Sequence, residues 1–207
     1  MSNLPHAMND GGQRAAWEHL YAAQARPWRG AADLDMTCLP AGTAVLDLGC
    51  GNGKTAAALL EHGCRTTGAD WSAAAVASCR QRFGGRAEFV IADAARLPFA
   101  DQTFGAVTAV HLFEHLEDAA AAQAAGEIYR VLVSGGLCLF RSFAAGDMRD
   151  DGRPAAVRNG IRYVYRTEAD CRRLFSAFET VALSTKCEPT RFGTVRVRVE
   201  GLFRRPV

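Results

Sequence analysis

The sequence predicts an α/β fold with a largely parallel sheet and right-handed crossovers. Three observations lead there. Short apolar runs alternate with helix-period segments between residues 43 and 143, which is the βαβ signature. The first of those runs, Thr43 to Leu48, ends in alternating glycines, and in open α/β sheets a ligand binds beyond the carboxyl ends of the strands. Near the C-terminus Val195, Val197 and Val199 alternate with Arg196, Arg198 and Glu200. One face of that segment is buried and the other solvated, which suits an antiparallel strand near a sheet edge.

Residues 1–12 are polar and are expected to fray. A helix follows over 13–25, with Ala16, Leu20 and Ala23 on one face beside Trp17 and Tyr21. Pro27 breaks it, Trp28 follows, and 31–38 reads as a second short helix. Pro40-Ala-Gly42 turns into the first strand. Residues 54–62 form a helix stopped at Gly63, and 65–69 a second strand. Ser72 caps a helix over 73–83 that ends at Gly84-Gly85. The third and fourth strands are 87–92 and 104–110, a helix spans 118–132, and Gly135-Gly136 turns into a fifth strand over 137–143.

The Gly-, Asp- and Arg-rich stretch 144–160 reads as a surface loop, and a loop that long often carries function. Thr167-Glu-Ala-Asp170 opens a helix in the manner of a capping box, with Cys171, Leu174, Phe175 and Phe178 as its apolar stripe. Residues 180–186 and 193–204 are two final strands. No repeat or linker divides the chain, so one domain is expected over 1–207. It comprises a helical cap (1–39), a ligand-binding core (40–143) and a substrate-side loop with the last helix and strands (144–207).

A chain of 207 residues can bury a sizeable core without staples, and 49% hydrophobic with 22% charged residues excludes a disordered chain. A net charge of +2 is too weak to indicate a nucleic-acid partner. Lysine occurs only at Lys54 and Lys186, and the dominance of arginine reads as coding bias. The seven cysteines are odd in number and none forms CxxC, so neither a metal site nor a disulfide framework is expected and the compartment is reducing. The N-terminal MSNLPHAMNDGGQ lacks the apolar core of a signal peptide, and no run approaches the ~20 apolar residues of a membrane span. A soluble, cytoplasmic monomer or homodimer with no membrane partner is expected.

The chemistry lies in Val45-Leu-Asp47-Leu-Gly49-Cys50-Gly51-Asn52-Gly53-Lys54-Thr55. A nucleoside triphosphate loop would need glycine where Leu48 stands, and fails. A dinucleotide loop is met by Gly51, Gly53 and Ala56 with Asp70 downstream, and stays open. The third candidate is S-adenosylmethionine. Asp47, Gly49, Gly51 and Gly53 match DxGxGxG, and the segment resembles the glycine motif of class I S-adenosylmethionine-dependent methyltransferases. Asp70 after the second strand, Asp93 after the third, Leu97-Pro98-Phe99 with Asp101-Gln-Thr-Phe104, and Glu127-Ile-Tyr-Arg130-Val-Leu-Val-Ser-Gly135-Gly136 are similar to that family's further landmarks, in order. Gly105 and Ser134 depart from its usual Asp and Pro.

The resemblance implies a Rossmann-like three-layer α/β/α sandwich with a seven-stranded, mostly parallel sheet of order 3-2-1-4-5-7-6, strand 7 antiparallel. It implies methyl transfer to a small-molecule acceptor, with S-adenosylmethionine as cofactor. Asp47 would help hold the methionine ammonium, and Gly49, Cys50 and Gly51 would supply close backbone. Asp70 would accept the ribose hydroxyls, since a carboxylate ending a buried strand is costly unless paired. Trp71 would lie against adenine, flanked by Asp93 and Ala94.

His111-Leu-Phe-Glu114-His115 closes the fourth strand beside the methyl position, so His111 is expected to touch the cofactor, and His111 or His115 is a candidate general base. The absence of an Asn/Asp-Pro-Pro-Tyr motif there weighs against nucleobase or glutamine amino groups as acceptors. Trp17, Glu18, Tyr21 and Pro27-Trp28 are similar to the cap of some small-molecule methyltransferases. Trp17, Tyr21, Trp28, Arg141, Tyr163 and Tyr165 are the candidate walls of the acceptor pocket, though the first three serve equally as packing residues. Two other readings stay open: a protein that binds S-adenosylmethionine without catalysis, and an NAD-dependent oxidoreductase.

Overall fold

The computed structural model describes residues 10–24, 27–28, 32–150, 152, 156–190 and 192–207. Five parallel strands form the larger part of the sheet: β1 (Ala44–Leu48), β2 (Arg65–Asp70), β3 (Glu88–Ile91), β4 (Phe104–Val110) and β5 (Leu132–Phe143). Two further strands, β8 (Glu179–Pro189) and β9 (Val195–Arg204), complete a seven-stranded sheet of order β3-β2-β1-β4-β5-β9-β8. With β8 as its sixth strand and β9 as its seventh, this is the expected order, and β9 runs antiparallel to both neighbours.

Alternate residues of β1 point into different cores. Leu46 and Leu48 join an apolar cluster with helix α4 (Asp118–Val131), helix α5 (Glu168–Leu174) and the rings of Phe113, Phe140, Phe175 and Phe203. Val45 packs on the other face with Leu59 of helix α2 (Lys54–Glu61), Met36 and Leu39. Helix α3 (Ala73–Phe83) closes a third cluster with Phe89. Sheet strands covered on both sides read as apolar throughout, which is why β1 and β4 show no clean alternation.

Local chemistry sets the ends. Ser72 accepts from the Ala75 amide at 3.1 Å, and Thr167 and Asp170 form the capping box reciprocally. Cys50, Cys64, Cys79, Cys138 and Cys171 are buried and free; Cys38 and Cys187 are exposed.

Several expectations need correction. The N-terminal helix α1 spans Asp10–Ala23, so residues 10–12 are helical, while 1–9 lie outside the described residues. No helix forms over 32–38; Asp35 instead accepts from the Thr37 amide (3.0 Å) and hydroxyl (2.7 Å), a side-chain turn that competes with helical bonding. Residues 132–136 are already strand, with an irregular register against β4 between Phe104 and Ala106. The stretch 144–160 is not all loop. β6 (Ala156–Arg158) and β7 (Ile161–Tyr163) form a hairpin across Asn159 (φ 52°) and Gly160 (φ 76°), the two-residue turn that Asn-Gly favours. Finally Arg198 is buried rather than solvated, paired with Asp33 and Glu188.

Candidate active site

The loop after β1 is built by three glycines in the left-handed region, Gly49 (φ 72°), Gly51 (φ 50°) and Gly53 (φ 73°). Backbone bonds stitch it to the end of β2: the Gly49 and Cys50 amides both donate to the Ala69 carbonyl (2.8 and 3.0 Å), and the Gly51 amide donates to Asp70 Oδ2 at 2.9 Å. Asp70 Oδ1 takes the Ser72 amide at 2.9 Å. A Cβ on Gly51 would stand 2.5 Å from the Tyr21 hydroxyl, so glycine is required there for close approach as well as for φ.

A cleft of about 570 Å³ opens at this end of the sheet. Gly49, Asp70, Trp71, Asp93, Ala94 and His111 line its floor from the strand ends, with Trp17, Tyr21, Leu112, His115 and Leu116 above. Helix α1 forms that upper wall because Gln13, Trp17 and Tyr21 recur every four residues on one face. Gln13 donates to the His115 carbonyl (2.7 Å) and accepts from the Arg162 amide (3.0 Å). Glu18 accepts from the Ser72 hydroxyl (2.7 Å) and the Ala74 amide (3.0 Å), so α1 is tied to the first turn of α3.

This geometry agrees with the comparisons. The family model described as a methyltransferase domain matches residues 45–136. The ubiquinone/menaquinone biosynthesis C-methyltransferase UbiE of Desulfotalea psychrophila is 40% identical over 103 residues, 48% of this chain and 41% of that protein. The demethylmenaquinone methyltransferase of Thermus thermophilus is 36% identical over 128 residues, 59% of this chain and 56% of that one. A Methanosarcina mazei S-adenosylmethionine-dependent methyltransferase superposes with a TM-score of 0.74 at 21% identity, covering 85% of this chain and all of that one. Residues 45–136 thus resemble a methyltransferase domain, and the chain has the fold of S-adenosylmethionine-dependent methyltransferases. It spans about half the length of the curated relatives it matches. These findings favour the adenosyl-sulfur ligand over the dinucleotide.

The expected site residues fall into three groups. Trp17, Tyr21, Gly49, Asp70, Trp71, Asp93, Ala94, His111 and His115 line the cleft. Asp47, Cys50 and Gly51 lie behind it: Asp47 is buried beneath the loop, with Oδ1 on the Thr108 hydroxyl (2.9 Å) and Oδ2 without a partner. Trp28, Arg141, Tyr163 and Tyr165 do not line it. Arg141 is buried in ion pairs with Asp33 and Glu200 (2.8 Å), because the segment after α1 crosses β5 and β9 there. Trp28 is exposed and its carbonyl accepts from the Asn52 side-chain amide at 2.7 Å. Tyr163 packs edge-on against His115, and Tyr165 donates to the Arg149 carbonyl.

Burial governs the charges of the site. It pushes Asp47 up to about 7, against the Thr108 hydrogen bond, and raises Asp70 against the Ser72 and Gly51 amides. Burial lowers His115. Burial would raise the carboxyl of Glu114, but the His111 and His115 imidazoles outweigh it and hold the group below its ordinary value. The parts missed by sequence reasoning are Gln13 of α1, Leu112 and Leu116, and Ser142 behind Glu114. The four-residue spacing of Gln13, Trp17 and Tyr21 was the available signal for α1.

Proposed function

We propose that the protein transfers a methyl group from S-adenosylmethionine to a small-molecule acceptor and releases S-adenosylhomocysteine. The observation that carries this reading is the unpartnered, buried Asp47 Oδ2 beneath a glycine loop that admits no Cβ at Gly51. A buried carboxylate oxygen without a donor is costly, and an ammonium, directly or through water, would satisfy it. The residues therefore fit the cofactor: Asp47 toward the ammonium, Gly49 to Gly51 toward the amino-acid portion, Asp70 toward the ribose hydroxyls, and Trp71, Asp93 and Ala94 around adenine. Each Asp70 oxygen already takes one amide and keeps a lone pair for a hydroxyl.

When bound, the cofactor supplies an electrophilic methyl on a sulfonium. The protein orients and shields. Trp17 and Tyr21 close the cleft from above, which limits water, and alignment of the acceptor with the methyl contributes most of the rate. Names borne by relatives, quinone and naphthoquinone methyltransferases, and by a neighbour at 22% identity, a toxoflavin N1-methyltransferase from Burkholderia thailandensis, support a small acceptor. We place the protein in the cytoplasm as a monomer or homodimer without a nucleic-acid partner; no described helix is long and apolar enough to cross a membrane.

A thermal-shift series with S-adenosylmethionine, S-adenosylhomocysteine, NAD and ATP tests the cofactor. Ligand at 100 times its Kd adds about 2.7 kcal/mol, a rise of roughly 5–10 °C for a chain of this size. The two adenosyl-sulfur compounds are expected to raise the midpoint. A rise with NAD alone would return the oxidoreductase reading, and binding without turnover of any acceptor the non-catalytic one.

A further inference from the structure

We propose that His111, oriented by Glu114, takes the proton from a neutral, hydroxyl-bearing aromatic acceptor; this rests on the methyl transfer proposed above. His111 Nδ1 lies 2.7 Å from Glu114 Oε1, and Glu114 is fully buried. The Ser142 hydroxyl donates to Glu114 Oε2 at 3.0 Å, so both carboxylate oxygens are engaged and the group cannot turn away. A carboxylate at Nδ1 places the imidazole proton there and leaves the Nε2 lone pair outward. The two hydrogen bonds, from His111 to Oε1 and from Ser142 to Oε2, favour the ionised form of Glu114.

The backbone supports the same reading. His111 sits at φ 58°, a left-handed conformation rare for a side-chain-bearing residue. Its amide donates to the Arg141 carbonyl at 2.8 Å, and its ring rests 4.5 Å from Phe143. The ring lines the cleft with a third of the side chain exposed.

His115 also lines the cleft, but it is built differently. Its Nδ1 donates to the Arg162 carbonyl at 2.8 Å, and Trp17 and Tyr163 box the ring edge-on, each at 4.9 Å. An imidazolium formed there is hydrogen-bonded to a neutral carbonyl, and burial outweighs the nearby Glu114 charge, whereas one formed at His111 is hydrogen-bonded directly to Glu114 and is partly exposed. Proton transfer is thus cheaper at His111.

The cleft also selects the acceptor. Its walls beyond the cofactor residues are Trp17, Tyr21, Leu112 and Leu116, and no described lysine or arginine lines it. The carboxylates that line it, Asp70 and Asp93, disfavour an anionic acceptor without excluding one. A planar neutral ring stacks on such walls, and its hydroxyl is a poor nucleophile until its proton leaves. The step balances: the proton passes from the acceptor oxygen to Nε2, the oxygen forms the bond to the methyl carbon, and the electron pair of the broken C–S bond stays on sulfur. The products are a methyl ether, a neutral thioether and an imidazolium held by Glu114.

The test uses the full-length protein, methyl-labelled S-adenosylmethionine, and two probes: catechol, neutral near pH 7, and 4-nitrophenol at a pH where it is already ionised. His111→Asn suits the left-handed backbone, since asparagine tolerates it. This variant is expected to lower kcat/KM on catechol by about 10²–10⁴-fold, the usual share of a general base, and to leave 4-nitrophenolate within a few-fold. Glu114→Gln is expected to move the rising limb of the kcat/KM pH profile to lower pH. Around His111 the charged or titratable groups are Glu114 and His115 on its own turn, Tyr163 on β7, Arg149 over the Phe143 ring, and Asp70 and Asp93 across the cleft; none of these changes in the Glu114→Gln comparison except Glu114 itself. Nitrogen-15 spectra of the ligand-free protein are expected to place the His111 proton on Nδ1.

Equal losses on both probes, an unmoved limb, or a proton on Nε2 would overturn the proposal. So would no transfer to catechol while S-adenosylmethionine still binds, and that result leaves the cofactor reading intact. Absence of cofactor binding removes both.

Discussion

The Tyr21 hydroxyl lies against Gly51 so closely that a Cβ on the glycine would stand 2.5 Å from it. Helix α1 is thereby seated on the loop that β1 feeds into the cleft. Gly51→Ala meets both this contact and a φ of 50°, and is expected to cost about 1–3 kcal/mol of stability. Combining it with Tyr21→Phe removes the oxygen in the way and recovers part of that loss. Chemical denaturation of the two single variants and the double variant checks this; strict additivity would show that the contact does not form in solution.

Asp70→Ala removes the partner of the Gly51 and Ser72 amides as well as the proposed ribose acceptor. Weaker S-adenosylmethionine binding by about 1–3 kcal/mol is expected, with a lower Tm in the free protein. Calorimetry well below that Tm separates the effects. Unchanged affinity would refute the ribose role.

Asp47 sets a pH dependence whose sign follows from its raised pKa of about 7. Between the ordinary carboxylate range and pH 7 the unfolded chain has released this proton and the folded one has not. The group's contribution to stability is therefore full at low pH and falls as pH rises to about 7. Asp47→Asn is expected to remove that slope in ligand-free thermal melts. In the wild type, S-adenosylmethionine should bind more tightly at pH 8 than at pH 6, because the ionised carboxylate attracts the ammonium, and the variant should lose this difference. A wild-type affinity that does not change with pH would separate Asp47 from the ammonium.

Arg141→Met tests a correction. The guanidinium is buried among Asp33 and Glu200, and removing it leaves two carboxylates without their cation. These partners are partly exposed, so a loss of about 1–3 kcal/mol is expected, below that of a fully buried pair. Affinity for S-adenosylmethionine should stay within about twofold, since Arg141 does not line the cleft. A large change in affinity alone would restore it as a wall of the site.

Much of the core was legible because its signals are local. Ser72 and Gly84 bracket α3 through a cap and a glycine stop, and the Gly49-x-Gly51-x-Gly53 run marks the ligand loop because the backbone geometry there admits little else. The hairpin at Asn159-Gly160 was equally local, and the arginine-rich context around it drew the reading toward loop. The segment 32–38 misled in the other direction: Asp33 and Asp35 look compatible with a helix until their carboxylates are seen to be committed to Arg141 and to Thr37.

By itself the sequence determined the alternation of strands and helices, the glycine loop, the acidic residues that end β2 and β3, and the resemblance to a methyltransferase domain. Each of these depends on backbone conformation or on neighbours a few residues away. The tertiary structure alone decided what faces the cleft. Gln13 reaches Arg162 across 149 positions, and Arg141 meets Asp33 across 108. Such partners are set by how α1 and the segment after it cross the strand ends, and no local pattern encodes that crossing. The same holds for His111 and Glu114: their spacing is visible in the chain, but the burial of the carboxylate and the Ser142 hydroxyl that holds it come from β5 packing behind them.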